Sequence, residues 1–221
     1  MIDNRIGVLG GSFNPVHYGH LRMAVQVLLN LSLDRIDFVP AKLPPHKSHE
    51  TLLPFSFRLQ MLEKCVKNRS FLRVSDLEGR RQGPSYTVDT LREYSARKHS
   101  EKLFFIMGLN DLRGVTQWHE WREIFTLADI AVVERAGLDP IVLDQFIAAN
   151  FSNTVQESGK FTWYVGNKSV NLISMPRLDI SSSLLRDMWI RGEELDFLLP
   201  DSVLEMLRGN RQLVDSFWNE D

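Results

Sequence analysis

The chain has 221 residues, 43% of them hydrophobic and 10% aromatic, which is close to the usage of globular proteins with a real core. Its 26 basic and 28 acidic side chains give a formal net charge of −2, so the composition offers no strongly basic face for nucleic acid or a membrane surface. The single cysteine, Cys65, excludes an intramolecular disulfide and a cysteine-rich zinc site. Because residues 1–5 lack a signal-peptide pattern and no stretch resembles a membrane span, we expect a cytoplasmic protein that binds neither nucleic acid nor a membrane.

Short apolar runs alternate along the chain with longer segments of helical period. Several of these runs are apolar at consecutive positions and rich in Val, Ile and Phe, which is typical of strands buried on both faces of a sheet. In chain order, the predicted strands are residues 6–9, 36–39, 71–74, 103–107, 130–133 and 170–173. The predicted helices are residues 20–31, 57–68, 86–98, 118–127, 140–150, 182–190 and 202–208.

The alternation of strand and helix predicts an α/β fold with a doubly wound, mainly parallel sheet. No internal repeat or low-complexity linker interrupts the pattern, so we expect one domain over residues 1–221, with the helices from about residue 180 packed on it. The least regular segments, residues 41–54 and 152–169, are expected to be loops. Since ligands of such sheets bind beyond the carboxyl ends of the strands, a site is expected in the segments that follow the strands.

The first predicted strand runs into a glycine-containing turn and then into a helix. Paired glycines let backbone N–H groups approach an anion without a Cβ in the way. The dinucleotide fingerprint of redox Rossmann proteins and the P-loop pattern of kinases are both absent here, so the turn serves another purpose. The segment reads Gly10-Gly11-Ser12-Phe13-Asn14-Pro15-Val16-His17-Tyr18-Gly19-His20.

His17 and His20 are three residues apart at the start of the predicted helix, so they occupy neighbouring positions on one face. A helix N-terminus carries partial positive charge and free N–H donors, and two imidazoles there can donate hydrogen bonds to phosphate oxygens. One alternative has His17 capping the helix and His20 packing in the core. A zinc site is weaker, because two histidines supply too few ligands. Together with the glycine turn, the spacing favours contact with a phosphate.

The glycine turn and the paired histidines resemble the G-[T/S]-F-[D/N]-P…H-x-G-H signature of the nucleotidyltransferase superfamily. This resemblance implies a Rossmann-like nucleotidyltransferase fold, in which the histidines stabilise the α-phosphate of a nucleotide as it is attacked. In this chain, the catalytic role would belong to His17 and His20. The turn residues that would supply further donors to the nucleotide are Gly10, Gly11, Ser12 and Phe13.

A second motif lies far along the chain, at residues 180–186, with the sequence I-S-S-S-L-L-R. Its serines can cap a helix N-terminus, and Ser182 and Arg186 are four residues apart on one face, so the guanidinium lies beside an anion-binding helix end. Taken alone, the motif favours an ordinary capped helix that carries an exposed arginine.

The second motif is nevertheless similar to the I-S-x-T-x-[IV]-R motif of the same superfamily, which binds the β- and γ-phosphates of ATP. Ser183 replaces Thr and Leu185 replaces Ile or Val, which keeps the hydroxyl and the apolar contact. The resemblance assigns nucleotide binding to Ile180, Ser181 and Ser182, and a catalytic role to Arg186.

Over nearly the whole chain, the resemblance is to the bacterial nicotinate-nucleotide adenylyltransferases. Residues 44–47 match the P-P-H-K loop of that branch, and residues 84–91 match its P-S-Y-T-x-x-T-L segment. The resemblance implies that Lys47 pairs with the acceptor phosphate, that N–H groups near Thr87 meet the nicotinate carboxylate, and that Trp118 stacks on the pyridine ring. The implied substrate-binding residues are Lys47, Ser85, Tyr86, Thr87, Asn110, Trp118 and Arg135.

Three of these assignments have open alternatives. Without the family, Lys47 is compatible with a solvated loop cation, and both tryptophans of the Trp118-His119-Glu120-Trp121 segment with core residues; we expect Trp121 in the core and Trp118 in the pocket. Asn110 stands where the family usually has Asp, so either its amide contacts the sugar or base, or Asp111 takes over that contact.

The resemblance implies that ATP and nicotinic acid mononucleotide react to give nicotinic acid adenine dinucleotide and pyrophosphate, a step of NAD biosynthesis. The acceptor phosphate is already a nucleophile, so we expect positioning and charge stabilisation without a protein nucleophile or general base. Mg²⁺ is expected to enter on the ATP phosphates, keeping several waters, and no protein metal site is expected. The alternatives are the same transfer to nicotinamide mononucleotide or another phosphorylated acceptor, and a non-catalytic nucleotide-binding module. A monomer and a homo-oligomer both stay open.

Overall fold

The structure is a computed structural model that describes residues 4–45, 51–97, 101–135, 140–152, 154–156 and 161–219. Its strands are β1 (Asn4–Gly11), β2 (Arg35–Pro40), β3 (Leu72–Val74), β4 (Glu101–Gly108), β5 (Asp129–Glu134), β6 (Val155–Gln156), β7 (Thr162–Val165) and β8 (Lys168–Ser174). Its helices are α1 (Tyr18–Asn30), α2 (Phe55–Val66), α3 (Leu77–Arg80), α4 (Thr87–Arg97), α5 (Leu109–Gly114), α6 (Trp121–Leu127), α7 (Pro140–Asn150), α8 (Ser182–Ile190), α9 (Asp201–Gly209) and α10 (Arg211–Trp218), with a 3-10 helix at Val115–Gln117.

Within the described residues, eight strands form one sheet in the order β3-β2-β1-β4-β5-β8-β7-β6. Strands β1, β4, β5 and β8 pair in parallel, with Val8 beside Phe105, Phe105 beside Ile130, and Ile130 beside Val170. Strand β7 is antiparallel to both β6 and β8. The predicted α/β fold with a doubly wound, mainly parallel sheet is confirmed.

One predicted loop is wrong, because residues 152–169 contain the strands β6 and β7. Val165 pairs with Lys168, which leaves Gly166 and Asn167 as a two-residue hairpin connection. Gly166 has a φ of +60°, a conformation that glycine adopts without a steric penalty and that tight hairpins require. The Gly-Asn pair was therefore a hairpin signal in the sequence. The short helices α3 and α5 and the terminal α10 were also not predicted.

The chain divides into two compact units. The first contains the described residues of Met1–Leu9, Met23–Ile36 and Tyr86–Arg177, and the second contains those of Gly10–Arg22, Asp37–Ser85 and Leu178–Asp221. The single domain expected from the sequence, with its C-terminal helices packed on it, stays a prediction.

The core of the first unit combines buried strands with an aromatic cluster. Strands β4, β5 and β8 are buried at consecutive positions, as expected for strands covered on both faces. Beside them, the ring of Phe125 lies 5.0 Å from that of Phe151 and 6.0 Å from that of Trp121. Asp129, only 2% exposed, accepts hydrogen bonds from the N–H and hydroxyl groups of Ser169, so this buried carboxylate is satisfied.

The core of the second unit is built largely from helices. Trp189 of α8 packs edge-on against Trp218 of α10 at 5.8 Å and donates from its indole nitrogen to Asp215 at 2.7 Å. Helix α2 contributes the fully buried Met61 and Leu62.

In the part of the chain that the structure describes, no helix has the length and apolar character needed to cross a membrane.

Candidate active site

The turn after β1 is held by the side chain of Phe13, which is 1% exposed. Its φ of +47° lies in the left-handed region, which a non-glycine residue adopts only when its surroundings hold it there. A Cβ at Gly11 would lie 3.2 Å from the Phe13 ring, so a side chain there would crowd it. Because the ring is buried, a bound nucleotide could meet Phe13 only through its backbone.

The structure brings His17 and His20 together at the start of α1. Their rings stack with centroids 3.8 Å apart, and the N–H groups of His20 and Leu21 donate to the His17 carbonyl. The His17 N–H donates to Nδ1 of His20 at 3.3 Å. A neutral imidazole whose Nδ1 accepts a hydrogen bond carries its proton on Nε2, so the outer nitrogen of His20 is a donor.

Packing explains the glycine between the two histidines. A Cβ at Gly19 would lie 2.9 Å from two atoms of the His17 imidazole, closer than real Cβ contacts allow. His17 is 1% exposed, so its ring is packed on its other sides as well, whereas His20 is half-buried. Phe13 supports the other ring edge-on, with centroids 5.0 Å apart. The two imidazoles are therefore held in one arrangement.

Asn14 is a residue whose role the sequence did not reveal. Its side chain is 3% exposed, donates from Nδ2 to the Thr51 carbonyl at 2.7 Å, and accepts at Oδ1 from the Leu53 N–H at 3.1 Å. An amide has both a donor and an acceptor, and here both are used by the same neighbouring segment. Asn14 thus fastens the glycine turn to residues 51–53. In the sequence, the indication of such a role was the position of Asn14 inside the first motif.

The second motif contacts the first directly. Arg186 donates from Nη1 to the Asn14 carbonyl at 2.9 Å, and the Ser182 hydroxyl donates to the Pro15 carbonyl at 2.9 Å. Burial lowers the pKa of Arg186, while nearby Asp187 acts in the opposite direction. Because the only hydroxyl proton of Ser182 is used, its contact with a phosphate would have to come from its backbone N–H.

Helix α8 begins in the way the serines predicted. The hydroxyl of Ser181 is the N-cap and accepts from the Leu184 N–H at 3.1 Å. The preceding Ile180 is 8% exposed and belongs to the core. The first N–H groups of a helix have no intrahelical partner, so the start of α8 offers backbone donors to an anion, and the binding of phosphate there stays a prediction.

Of two further predicted substrate contacts, Lys47 lies outside the described residues. Ser85, which precedes α4, contacts the first residues of the loop after β2. The Ser85 hydroxyl accepts from the N–H groups of Lys42 at 2.9 Å and Leu43 at 3.1 Å, while the Ser85 N–H donates to the Leu43 carbonyl. Lys42, which was not singled out, donates from Nζ to the Gly79 and Arg81 carbonyls. Ser85 therefore has a clear role in fastening this loop.

Five of the predicted substrate-binding residues belong to the first unit, and three of them are Tyr86, Thr87 and Trp118. Tyr86 precedes α4 and stacks on the ring of His119 with centroids 4.3 Å apart, and Thr87 is the first residue of α4. Trp118 is half-buried and meets Phe105 edge-on at 6.3 Å. The predicted helix 118–127 begins only at Trp121, so Trp118 lies in the segment before α6. His119 was missed as a neighbour of Tyr86, since the two are far apart in sequence.

Trp121 belongs to the core, as expected. It is 8% exposed, and its ring packs against Phe125, Phe146 and Phe151 at 5.7–6.2 Å between centroids. The Arg122 guanidinium lies 4.4 Å from the centroid of the same ring. Trp118 and Trp121 therefore have different surroundings despite their helical spacing.

The structure gives Asn110 and Asp111 different surroundings. The Asp111 carboxylate accepts from the Gly108 N–H at 3.2 Å and so caps the start of α5. Asn110 is exposed, and its Oδ1 accepts from Arg113 at 3.3 Å. Because Asp111 has this structural role, Asn110 is the better candidate for a ligand contact. Arg135 directly follows β5 and is half-buried.

Among the described residues, no three or more His, Cys, Asp or Glu side chains are grouped so that they could hold a metal ion.

Burial raises the pKa of the Cys65 thiol to about 12, with a weaker opposing effect of a hydrogen bond to Ser202. The thiol is therefore protonated at neutral pH, and a thiolate nucleophile is excluded there.

Comparisons with known proteins agree on family and fold. A sequence profile described as cytidylyltransferase-like matches residues 8–188. A Maridesulfovibrio salexigens protein named probable nicotinate-nucleotide adenylyltransferase is 40% identical, over 97% of this chain and 99% of its own. A protein of the same name from Geobacter metallireducens is 36% identical, over 94% of this chain and 97% of its own. The solved Plasmodium falciparum nicotinic acid mononucleotide adenylyltransferase complexed with NaAD matches with a TM-score of 0.74 at 19% identity, covering 95% of this chain and 97% of that chain, which shows the same fold.

Proposed function

The chain belongs to the cytidylyltransferase-like family, among the nicotinate-nucleotide adenylyltransferases, and from this premise we propose that it transfers the adenylyl group of ATP to nicotinic acid mononucleotide. A phosphate oxygen of the acceptor forms a bond to the α-phosphorus of ATP, and the bond from that phosphorus to the β-phosphate oxygen breaks. The products are nicotinic acid adenine dinucleotide and pyrophosphate, in a step of NAD biosynthesis.

The stacked histidines support the chemical step. The Nε2–H of His20 is a donor held in place by its Nδ1 contact, and the His17 ring stacked on it is held by the packing around Gly19. Donors that are already oriented stabilise the charge that grows on the α-phosphate oxygens without reorganising during the reaction. His17 and His20 therefore act on the transition state.

Arg186 and the start of α8 support binding of the departing β- and γ-phosphates. Arg186 is partly buried and anchored on the Asn14 carbonyl, which leaves other N–H groups of its five-donor guanidinium for phosphate oxygens. Backbone N–H groups of Ser181 and Ser182 and of the turn from Gly10 to Phe13 add donors. The direct contact between the two motifs, Arg186 to Asn14 and Ser182 to Pro15, is the observation that carries the proposal.

Recognition of the acceptor is assigned to a second set of residues, which lie outside the two motifs. We propose that the start of α4 at Thr87 binds the nicotinate carboxylate through backbone N–H groups and that Trp118 stacks on the pyridine ring. Tyr86, Asn110, Arg135, Ser85 and Lys47 complete the proposed set. The protein supplies no general base, because the acceptor phosphate is already ionised. Mg²⁺ arrives with ATP as part of the substrate and retains several waters.

Pyrophosphate release tests this function directly. With MgATP and nicotinic acid mononucleotide, the protein should release pyrophosphate and form the dinucleotide in equal amounts, and omission of the acceptor should abolish both. ATP binding without turnover on any phosphorylated acceptor would instead identify a nucleotide-binding module. Turnover only with a different acceptor would support adenylyl transfer but would identify that compound, and not nicotinic acid mononucleotide, as the substrate. Cytoplasmic localisation stays part of this proposal.

Trp118→Ala is expected to raise KM for nicotinic acid mononucleotide by about tenfold or more and to change KM for ATP little. Stacking on a pyridine ring is similar in the ground and transition states, so its loss weakens acceptor binding more than it slows the chemical step. Steady-state kinetics with each substrate varied in turn measure both constants.

Trp121→Ala is the matched control, because Trp121 packs in the aromatic core. It should lower the free energy of unfolding by ~3–5 kcal/mol, as emptied aromatic sites do, with acceptor KM nearly unchanged. If Trp118→Ala destabilised the fold and Trp121→Ala weakened acceptor binding, the two assignments would be reversed. If neither changed acceptor KM, the pyridine ring would bind elsewhere.

A further inference from the structure

Arg58 of α2 is a fully buried arginine, with 0% of its surface exposed. It donates from Nη1 to the Ser12 carbonyl at 2.6 Å and from Nε to the Leu53 carbonyl at 2.8 Å. Burial lowers its pKa to about 10, while the charge of Glu78 acts in the opposite direction, so the side chain stays a cation at neutral pH. Removing a charge from water is costly, and a residue that serves packing alone would be apolar.

The carbonyl that Arg58 holds belongs to the peptide between Ser12 and Phe13. The peptide between Ser12 and Phe13 is trans, so its C=O and N–H groups point in opposite directions. Fixing the Ser12 carbonyl toward Arg58 therefore directs the Phe13 N–H away from α2. Phe13 also has a left-handed backbone, which needs support from its surroundings.

The second hydrogen bond of Arg58 supports the same turn from the other side. Leu53, whose carbonyl accepts from Nε, donates its own N–H to the Asn14 side chain. Arg58 thus ties Ser12 directly and Asn14 through Leu53, on both sides of Phe13. The Phe13 ring in turn packs against His20 at 5.0 Å.

We propose that Arg58 is a positioning residue for adenylyl transfer, which holds the Ser12–Phe13 peptide so that the Phe13 N–H faces the ATP phosphates and the Phe13 ring supports His20. This proposal rests on the proposed function. Arg58 is too buried to touch substrate, so it acts through the turn. A planar guanidinium reaches both carbonyls at once, whereas a lysine ammonium placed there would be a point charge at the end of a flexible stem.

The test compares Arg58→Met, Arg58→Lys and the control Met61→Ala. Met61 is on the same helix and equally buried, and no hydrogen bond links it to the turn, so Met61→Ala reports what destabilisation of α2 does alone. Arg58→Met should lower kcat by about 10²-fold, the scale of losing one oriented transition-state donor, with acceptor KM nearly unchanged. Arg58→Lys should recover about tenfold of that loss, because it restores the charge and a single donor.

Thermal unfolding and ATP binding by calorimetry complete the experiment. We expect Arg58→Lys to bind ATP about fivefold more weakly than the wild type, a modest change since the contact matters most at the transition state. Met61→Ala should bind ATP normally at temperatures below its own unfolding. If wild-type protein binds ATP but turns over no acceptor, the proposed function fails, and the ATP affinities of the variants still test Arg58.

Three results would overturn the role of Arg58. One is a kcat and ATP affinity in Arg58→Met equal to those of the wild type. Another is a loss that Met61→Ala reproduces at equal destabilisation, since the role would then be stability alone. If Arg58→Met does not fold, Arg58→Lys decides: full kcat and full ATP affinity in that variant would show that the two-carbonyl contact is dispensable.

Discussion

Replacing His17 or His20 with alanine is expected to lower kcat by about 10²–10³-fold, the usual loss when one transition-state donor is removed. The affinity for ATP should change far less, because the developing charge on the α-phosphate is absent from the ground state. The stacked rings, 3.8 Å apart, are the structural basis of this expectation. Single-turnover kinetics and calorimetric ATP titrations measure the two effects separately.

The geometry of His20 refines this prediction. Its Nδ1 accepts a hydrogen bond from the His17 N–H, so the atom expected to donate to the phosphate is Nε2. A glutamine amide reaches about as far as Nε2 and an asparagine amide about as far as Nδ1, so His20→Gln should restore more activity than His20→Asn. Tyr18→Ala is the control, since Tyr18 is 39% exposed and lies between the histidines in sequence. A folded alanine variant with near wild-type kcat would make that histidine structural.

The acceptor nicotinic acid mononucleotide should be preferred over nicotinamide mononucleotide by several kcal/mol in kcat/KM, on the order of 10³-fold or more. The two acceptors differ only by carboxylate against amide, and the start of α4 at Thr87 offers backbone N–H donors and partial positive charge. A site that pairs an anion leaves donors unsatisfied when the partner is neutral. Competition kinetics with both acceptors measure the ratio.

Two substitutions at Thr87 separate backbone from side-chain recognition. Thr87 is the first residue of α4, where proline is tolerated but lacks an N–H. Thr87→Pro should lower kcat/KM for nicotinic acid mononucleotide by at least about tenfold, as expected for a lost hydrogen bond to a charged group. Thr87→Ala, which keeps the N–H, should have little effect. Equal kcat/KM values for the two acceptors in the wild type would contradict carboxylate recognition altogether.

Local patterns in the sequence were sufficient for the fold class and for the two helix starts to which the phosphate contacts are assigned. Runs such as Leu103 to Met107 are apolar at consecutive positions because β4 is covered on both faces, and this property is visible without tertiary information. The spacing of His17 and His20 is likewise a local property of a helix start, and Ser181 caps α8 through a contact three residues away. Such features can be predicted from the sequence because their physical causes lie within a few residues.

Contacts between distant segments were beyond the reach of local patterns. Arg58 occupies an ordinary helical position in the sequence, and its role follows from two backbone carbonyls that the fold brings to it. Backbone carbonyl groups are the same in every residue, so no pattern of side chains indicates that the Ser12 carbonyl accepts from a buried side chain. The partners of Ser182 and Ser85, and the different surroundings of Trp118 and Trp121, also depend on residues far away in the chain. Periodicity reports burial and local geometry, whereas the identity of a long-range partner exists only once the chain has folded.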